Sequence, residues 1–239
     1  MTAREERVLP PVLLGLTAVT GLVDAVSYLA LGHVFTANMT GNVVFLGFAV
    51  AGAQGLSVTR SGSAVAAFFI GAVIGGRMAV RMSGRRDRWT GAAFGTEAAL
   101  FLAAMAVALG YGSGLSNAPA RLYGVIVLTG LAMGIRNATV RKLAVPDLTT
   151  TVLTLTLTGL AADSSLAGGS NPGWARRAGS VGTMFVGAAG GAWLLGYSLA
   201  LALAICALVS AVCATAAFAG ITPPRPQEGA AGPRARRQG

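Results

Sequence analysis

Apolar runs separated by short polar or basic stretches account for most of the 239-residue chain. A helix rises about 1.5 Å per residue, so roughly 20 apolar residues are needed to cross the hydrocarbon layer of a membrane. The runs cover residues 11–31, 37–53, 61–80, 91–110, 122–135, 148–162, 181–196 and 199–218, and the fifth can extend to Leu143. The second and sixth are short and rich in Asn, Thr and Gly. This pattern predicts an all-α integral membrane protein with about six transmembrane helices and two short, discontinuous segments that re-enter the membrane.

Composition and charge support this assignment and add an orientation. Hydrophobic residues make up 54% of the chain and charged residues 11%, whereas soluble domains are about 25% charged. The net charge of +10 would indicate a nucleic-acid partner in a soluble protein, but in a membrane protein Lys and Arg collect on the cytoplasmic side. If six helices cross and the N-terminus is cytoplasmic, every Lys and Arg except Arg60 and Arg121 lies on that side, whereas eight crossings leave fewer than half there. We therefore expect cytoplasmic N- and C-termini and no nucleic-acid partner.

The two halves of the chain contain the same series of parts. Thr20-Gly-Leu and Thr129-Gly-Leu each lie on a long helix, followed by a polar linker, a short polar segment and two further apolar helices. Three crossings per half is an odd number, so the halves face opposite ways, as in the inverted repeats of secondary transporters. The expected division is a cytoplasmic N-terminus at 1–10, a first repeat at 11–110, a second repeat at 119–219 and a disordered basic cytoplasmic tail at 222–239.

The two short segments carry most of the residues that we expect to bind a solute. In inverted-repeat folds the site lies near the middle of the membrane where short helices meet, because their free backbone groups can hold a polar ligand. Asn38 and Asn42 have the i, i+4 spacing of one helix face, and Thr151, Thr154 and Thr158 have i, i+3, i+7 spacing. The candidate substrate-binding residues are Asp24, Asn38, Thr40, Asn42, Thr150, Thr151 and Thr154. The alternative is that these polar side chains only join neighbouring helices.

Charged residues inside predicted helices are costly in a membrane and therefore informative. Asp24 lies near the middle of the first helix, where it could carry a proton or form a structural hydrogen bond or ion pair, with Arg136 as the candidate partner. Asp147 follows Pro146 and is expected to cap the sixth segment. Arg136 and Asp147 are therefore assigned structural or coupling roles, and Glu97 is expected near a membrane interface.

The sequence offers no clear set of catalytic or metal-binding residues. Cys206 and Cys213 lie seven residues apart on the last helix, about 10.5 Å by helical rise, which exceeds the reach of a disulfide. His33 is the single histidine, which leaves a metal site or a Ser–His nucleophile without partners. A mechanism with two aspartates, Asp24 with Asp147 or Asp163, lacks any sign of a cleavage site. We therefore expect no enzymatic activity, no cofactor and no metal.

Three strings together resemble the YoaK family of bacterial membrane proteins. They are Asp24-Ala, Ala37-Asn-Met-Thr-Gly-Asn42 and Pro146-Asp-Leu-Thr-Thr-Thr-Val152, and the resemblance covers roughly residues 12 to 218. It implies six membrane spans in a bacterial inner (cytoplasmic) membrane and little about activity, since the family is a domain of unknown function. The family often continues with Thr-Gly-Asn where this chain has Thr154-Leu-Thr156, which argues against a strictly symmetric Asn pair.

These features favour a small secondary transporter or permease for a small polar solute or anion, with Asp24 able to couple transport to protons. The alternative is a membrane scaffold or sensor subunit that transports nothing. The expected partners are the lipid bilayer and an unknown small polar solute, and a homo-oligomer is left open.

Overall fold

The computed structural model describes residues 3–110, 119–145, 148, 150 and 153–221. Within these ranges the chain is helical and contains no β-strand. The helices are α1 (Ala3–Ala30), α2 (Met39–Val50), α3 (Val58–Arg81), α4 (Arg86–Ala108), α5 (Pro119–Leu143), α6 (Leu153–Ala162), α7 (Trp174–Leu195) and α8 (Leu199–Ile221). Six of them are long and apolar enough to cross a membrane, whereas α2 and α6 have only 12 and 10 residues. The predicted all-α membrane architecture is confirmed.

Several long helices extend beyond the apolar runs that predicted them. α1 begins at Ala3 rather than Pro11, so Pro10 and Pro11 lie inside the helix. α4 begins at Arg86 and α7 at Trp174, each several residues before its apolar run. The added turns carry charged side chains, which can reach the polar interface from a helix end. Hydropathy therefore locates the apolar middle of each helix and misses its ends.

Contacts between helix ends define two ends of the bundle. Arg4 donates a hydrogen bond to the carbonyl oxygen of Ala219 (3.2 Å), and Arg86 donates one to that of Leu143 (2.9 Å). Arg86 also forms an ion pair with Glu5 of α1 (3.4 Å). Together these contacts bring the starts of α1 and α4 and the ends of α5 and α8 to one end of the bundle, which we call the basic end. At the opposite end, hydroxyl groups at the starts of α3 and α5 are hydrogen-bonded at 2.7 Å. Successive long helices from α1 to α5 therefore run in alternating directions.

Each short helix returns to the end of the bundle from which it departs, and the two short helices belong to opposite ends. Arg60 at the start of α3 donates to the carbonyl oxygen of Gly32, just after α1 (3.0 Å), so α1 ends where α3 begins. In the second half, Arg177 at the start of α7 forms a 2.7 Å ion pair with Asp163, just after α6. Because α5 ends and α7 begins at the basic end, α6 also returns to the end from which it departs. Each short helix is therefore re-entrant with respect to the bundle.

The long helices pair across the two halves of the chain. α1 packs against α7, α5 packs against α3, and α4 packs against α8. In addition, α8 contacts α1, α4 contacts α5, and each short helix packs on the long helix that follows it. The contacts of one half thus have counterparts in the other. A duplication would produce this agreement, and the opposite orientation of two repeats in a membrane stays a prediction.

Glycines set the spacing of two of these pairs, α1–α7 and α3–α5. A Cβ added to Gly21 of α1 would overlap the backbone carbonyl of Met184 on α7, and one added to Gly134 of α5 would overlap that of Phe68 on α3. Such close approach of two helix backbones requires a residue without a side chain. The α1–α7 and α3–α5 contacts are therefore tight and of the same kind.

The order of these contacts shows that the helices are parallel in the α1–α7 pair and in the α3–α5 pair. On α7, Gly187 lies against Ala18 and Gly191 lies against Leu22, so both helices advance in the same direction. The glycines of α3 follow the same order along α5. Since α1 starts at the basic end, α7 starts there too.

The glycine contacts also correct the register in which the two halves are compared. Equating Gly21 with Gly134 aligns Asp24 with Asn137, and each of these is followed by Ala. The sequence comparison that aligned Gly21 with Gly130 is therefore about one helical turn out of register. In this register Arg136, the expected partner of Asp24, corresponds to the apolar Val23.

α1 and α5 form the centre of the bundle, and α3 and α7 form its outside. The apolar stretches of α1 and α5 are 67% and 61% buried, against 22% for both α3 and α7. Phe69 on α3 and Phe185 on α7 are among the most exposed apolar side chains. Such apolar surface on membrane-spanning helices faces lipid tails, so the protein contacts the bilayer there. Cys206 and Cys213 are buried and not disulfide-bonded, as expected.

Candidate functional site

A face of buried polar residues on α1 leads to the candidate site. Thr17, Thr20, Asp24 and Ser27 are spaced three, four and three residues apart, so they share one helix face, and all are buried. The three hydroxyl groups each donate to a carbonyl oxygen about one turn earlier in α1. Asp24 is the charged member of this face.

Asp24 binds the start of α2. Its Oδ1 atom accepts hydrogen bonds from the backbone N–H groups of Ala37 (3.0 Å) and Asn38 (3.4 Å), which directly precede the first residue of α2. The first N–H groups of a helix lack partners within it, and the helix dipole favours negative charge there. No Lys or Arg among the described residues forms an ion pair with Asp24. The carboxylate thus fixes the re-entrant helix to α1 without a cationic partner.

Asn42 closes the loop that precedes α2. Its side chain is fully buried, its Oδ1 atom accepts from the Phe35 N–H (2.9 Å), and its Nδ2 atom donates to the Phe35 carbonyl oxygen. The Phe35 ring stacks on Tyr28 of α1 and Phe45 of α2, with ring centroids 5.2 and 5.5 Å apart. Both ends of the Asn42 amide are used inside the protein, so this residue holds the loop in place.

Two buried hydroxyl groups, one in the linker before each short helix, have no hydrogen-bond partner among the residues that the structure describes. Thr36 is buried, and its Oγ1 atom forms no hydrogen bond within the described part of the chain, although the next residue, Ala37, is bound by Asp24. Thr150, in the linker before α6, is likewise buried, with an unpartnered Oγ1 atom and a left-handed backbone (φ 59°). Buried hydroxyl groups are normally hydrogen-bonded, so an unpartnered one is typical of a position where water or a ligand binds.

Arg136 on α5 and Glu97 on α4 form a fully buried ion pair. The Arg136 Nε atom donates to Glu97 Oε2 at 2.9 Å, and Nη2 donates to Oε1, so the pair is bidentate. Arg136 Nη1 also donates to the Leu16 carbonyl oxygen (2.6 Å) and the Thr20 hydroxyl (2.8 Å) of α1. Ser210 of α8 donates to Glu97 Oε1 at 2.6 Å. This buried cluster joins α1, α4, α5 and α8.

The cluster corrects two expectations from the sequence. Arg136 pairs with Glu97 rather than with Asp24, and Glu97 is buried inside the bundle rather than near an interface. The reason is mutual compensation, since an unpaired charge at either position would be costly. Arg136 therefore gives no information on membrane orientation. Asp24 lies one helical turn beyond Thr20, so the ion-pair cluster and the start of α2 are neighbours along α1.

The second half builds the equivalent region from neutral groups. Asn137, the counterpart of Asp24, donates to the Met133 carbonyl oxygen at 2.8 Å. Thr156 is the buried residue of α6, as Asn42 is the buried residue of α2. A buried polar residue at the inner face of each short helix is thus common to the two halves, whereas its chemical type differs.

The remaining predicted site residues are exposed or lie outside the described ranges. Asn38 caps α2 by accepting from the Gly41 N–H (3.3 Å), and its side chain is exposed, as is that of Thr40. Thr154 and Thr158 are also exposed, so the predicted Thr face of α6 is directed away from the bundle. Two further predicted residues lie outside the described ranges: Thr151 and Asp147.

Comparison with known proteins gives the family. The sequence matches the family described as "Protein of unknown function (DUF1275)" over residues 12–216, which takes in every residue of the candidate site described above. The chain belongs to this family. It is also 37% identical over 155 residues to UPF0700 transmembrane protein YoaK of Bacillus subtilis (strain 168), a segment that covers 64% of this chain and 65% of the relative. The resemblance to the YoaK family is confirmed, and no solved structure matches the chain.

Glu97, Thr36 and Ser210 lie in the polar interior of this multi-pass membrane protein, although they were not predicted to lie there. Glu97 could have been found by the argument applied to Asp24, since it is a carboxylate within an apolar helix. Thr36 and Ser210 carry no such signal because Ser and Thr are frequent in membrane helices and their linkers. Their importance follows only from burial and from the partners that they have or lack.

Proposed function

We propose that this protein is a small secondary transporter or permease for a small polar solute or anion. The observation that carries the proposal is the pair of buried, unpartnered hydroxyl groups of Thr36 and Thr150. Each belongs to the linker that leads into a re-entrant helix. A polar solute could complete the hydrogen bonding that the described residues leave unmade.

The re-entrant helices supply the second part of the proposed site. Transporters with inverted repeats bind substrate where short helices begin inside the membrane, because their first N–H groups and positive dipole ends face the ligand. α2 begins beside Asp24, well inside the bundle, and α6 follows the linker that contains Thr150. In the proposed arrangement these two helices enter from opposite membrane surfaces, which agrees with the alternating helix directions.

Asp24 is the group through which we propose that protons are coupled to transport. Its carboxylate accepts the Ala37 and Asn38 N–H groups at the start of α2. Hydrogen bonds to a charged acceptor are about twice as strong as those to a neutral one, so protonation would weaken this contact. A proton on Asp24 would thereby loosen the loop that contains Thr36.

Two rigid units provide a route for alternating access. Close glycine contacts hold α1 to α7 and α3 to α5, α6 packs on α7, and α2 packs on α3. One unit is thus α1, α6 and α7, and the other is α2, α3 and α5. Arg136 of the second unit donates to Leu16 and Thr20 of the first. Asp24 of the first unit also accepts from the N–H groups at the start of α2 in the second. In the proposed movement all these bonds rearrange while the Arg136–Glu97 pair stays intact.

We propose that the basic end is cytoplasmic. The starts of α1, α4 and α7 and the ends of α3, α5 and α8 meet there, together with most of their Arg and Lys residues. Arg60 and Arg121 belong to the opposite end. The positive-inside rule then gives cytoplasmic termini in a bacterial inner membrane.

A scaffold or sensor subunit is the second candidate. It is favoured by the use of Asp24 and Asn42, whose side chains bind backbone groups of the α2 loop. In that case the polar interior stabilises the bundle and no solute passes. Neither candidate includes a catalytic step.

The test is flux in liposomes that contain the purified full chain. Uptake of a panel of small polar solutes and anions would be measured together with lumenal pH for the wild type, Thr36→Val and Thr150→Val. Because neither hydroxyl group is bonded in the described structure, both variants are expected to unfold at the wild-type temperature. If the hydroxyl groups bind solute, each variant raises KM about tenfold, the size of one lost hydrogen bond.

Thr129→Val is the matched control. Thr129 is also buried, but its hydroxyl group donates to carbonyl oxygens of its own helix, so flux should be unchanged. Asp24→Asn is expected to keep solute movement and lose the accompanying pH change. If the folded wild type moves none of the solutes, or if both Thr variants transport like the wild type, the transporter proposal is wrong and the scaffold is favoured.

A further inference from the structure

A two-lobed groove opens at the basic end, between the last turns of α3 and α5. The larger lobe, of about 440 Å³, is lined by Val73, Gly76, Arg77, Val80, Arg81 and Lys142. The smaller lobe, of about 220 Å³, shares Lys142 and includes Arg86 and Trp89 of α4. The groove has no residue in common with the candidate transport site. Among the described residues that line it, none is an Asp or Glu.

Three cations converge on the larger lobe without counter-charges. Arg77 and Arg81 are four residues apart on α3, so they lie on one helix face, and Lys142 comes from α5. All three side chains are exposed, and none forms an ion pair or hydrogen bond within the part of the chain that the structure describes. Like charges held close together repel, so an anion in this groove would be favoured.

Helix-end electrostatics explain only part of this arrangement. Arg81 and Lys142 lie in the last turns of their helices, where a cation complements the free carbonyl groups. Arg77 is one turn earlier and has no such role. A general preference for basic residues at the cytoplasmic side would also not require that cations from two helices share one groove.

Trp89 supplies an independent observation in the smaller lobe. The residue is 7% exposed, and its indole Nε1 atom has no hydrogen-bond acceptor in the described part of the chain. Buried Trp N–H groups usually have a partner, and Trp is common at the level of lipid headgroups. A donor without an acceptor beside a cationic groove is suited to an oxygen atom of an anionic ligand.

The apolar part of the groove indicates which kind of anion fits. Val73, Gly76 and Val80 occupy the same face of α3 as Arg77, so an apolar track runs along the helix towards the cations. An added Cβ at Gly76 would meet no atom within 4 Å, which shows that the track is open there. A soluble anion would make no use of this track, whereas a lipid has both a charged headgroup and apolar chains.

We propose that the groove binds one anionic phospholipid. Arg77, Arg81 and Lys142 bind its phosphate, the Trp89 N–H group donates to a headgroup oxygen, and an acyl chain lies along Val73, Gly76 and Val80. Basic pockets between membrane helices bind anionic headgroups in this way. The proposed site does not depend on transport, since it shares no residue with the region around Asp24.

The test is native mass spectrometry of the full chain released from nanodiscs of phosphatidylcholine with and without phosphatidylglycerol. The wild type is expected to retain one phosphatidylglycerol and no phosphatidylcholine. A triple variant, Arg77→Gln with Arg81→Gln and Lys142→Gln, should bind about a hundredfold more weakly, since each cation near an anionic headgroup contributes about fivefold. Inorganic phosphate at millimolar concentration should not displace the lipid.

Gly76→Leu tests the apolar part of the groove without changing its charge. This variant keeps all three cations and fills open space, so it should fold normally and lose the retained lipid. Two controls should keep it: Gly190→Leu, which fills equally open space on α7, and Arg141→Gln, which removes an exposed cation outside the groove. The proposal would be overturned if the controls lost the bound phosphatidylglycerol equally, if Gly76→Leu retained it, or if inorganic phosphate displaced it.

Discussion

The first half of the chain fixes its short helix with a carboxylate and an amide, whereas the second half has neutral Asn137 and Thr156 at the corresponding places. Asp24 and Asn42 bind backbone groups around the start of α2. Outside these positions the halves agree closely, down to the glycines that overlap a backbone carbonyl of the facing helix. Backbone spacing in this bundle therefore leaves little freedom, while the polar groups that it surrounds can differ between the halves.

A second difference lies on the helices that follow. Glu97 and Ser210 are 113 residues apart, the same separation as Gly21 and Gly134, and they are hydrogen-bonded to each other. They are thus equivalent residues that meet where α4 packs against α8. The ion pair of Glu97 with Arg136 joins the two halves and is not repeated, because Ser210 and Val23 at the matching positions carry no charge.

Removing the buried Arg136–Glu97 ion pair should have the largest effect on stability. Glu97→Ala leaves Arg136 buried and charged without its partner, so the free energy of unfolding should fall by about 3–5 kcal/mol. The measurement is unfolding of the purified protein by sodium dodecyl sulfate in mixed micelles. Glu97→Met with Arg136→Met removes both charges and should recover most of the loss.

The control for that experiment is Asp163→Asn, which removes a partly exposed ion pair to Arg177. Such pairs contribute about 0–1 kcal/mol because solvent screens them. A similar loss in Glu97→Ala and Asp163→Asn would contradict the role of the buried cluster.

Adding a methyl group at the two equivalent glycines tests the similarity of the halves. Gly21→Ala and Gly134→Ala each place a Cβ against a backbone carbonyl of the paired helix, so each should lower stability by about 1–3 kcal/mol. The same unfolding assay should give closely similar values for the two. Gly76→Ala and Gly190→Ala, which meet open space, should lose nothing. A large difference between Gly21→Ala and Gly134→Ala would show that the two pairs are not equivalent.

Replacing the Asp24 carboxylate by an amide should have the smallest effect on stability. Asp24→Asn keeps an acceptor oxygen for the Ala37 and Asn38 N–H groups, so stability should fall by only about 1 kcal/mol. Asp24→Ala removes the acceptor and should free both amides to exchange with deuterium much faster. Hydrogen exchange measured by mass spectrometry on peptides covering the start of α2 distinguishes the two variants. Unchanged protection in Asp24→Ala would show that the carboxylate does not hold the loop.

The all-α membrane architecture could be predicted from the sequence because each pattern that indicates it extends over many residues and has a direct physical cause. Six apolar helices, two short polar segments and the asymmetry of Lys and Arg each extend over many residues, and lipid forbids most alternatives. The family followed from a few specific strings around Asp24 and Asn42. The two repeats predicted from Thr20-Gly-Leu and Thr129-Gly-Leu stay a prediction. The register in which the halves make matching contacts could not be read from these strings, because only packing shows which glycines face a neighbouring backbone.

The candidate site was harder to derive from the sequence because its residues act in pairs brought together by folding. Asp24 could be identified from the free-energy cost of a carboxylate inside a membrane helix. That it binds the Ala37 N–H group could be seen only once the path of the loop before α2 was known. Asn42 and Thr36 are both polar and both buried, yet both ends of the Asn42 amide are hydrogen-bonded, whereas the Thr36 hydroxyl group has no partner among the described residues. Spacing on a helix face cannot distinguish these cases, and it does not show that Thr154 and Thr158 are exposed.

The pairing of α1 with α7 has a consequence for how the chain is made. When α1 leaves the ribosome, the helix that covers Gly21 has yet to be synthesised, and α3 must likewise wait for α5. Early helices therefore remain side by side in the membrane without their final neighbours, and assembly is completed only after the last third of the chain has been inserted. Neither half can bury its own glycine surfaces alone. Two fragments divided between α4 and α5 and produced in the same cell should instead find each other and restore the complete bundle.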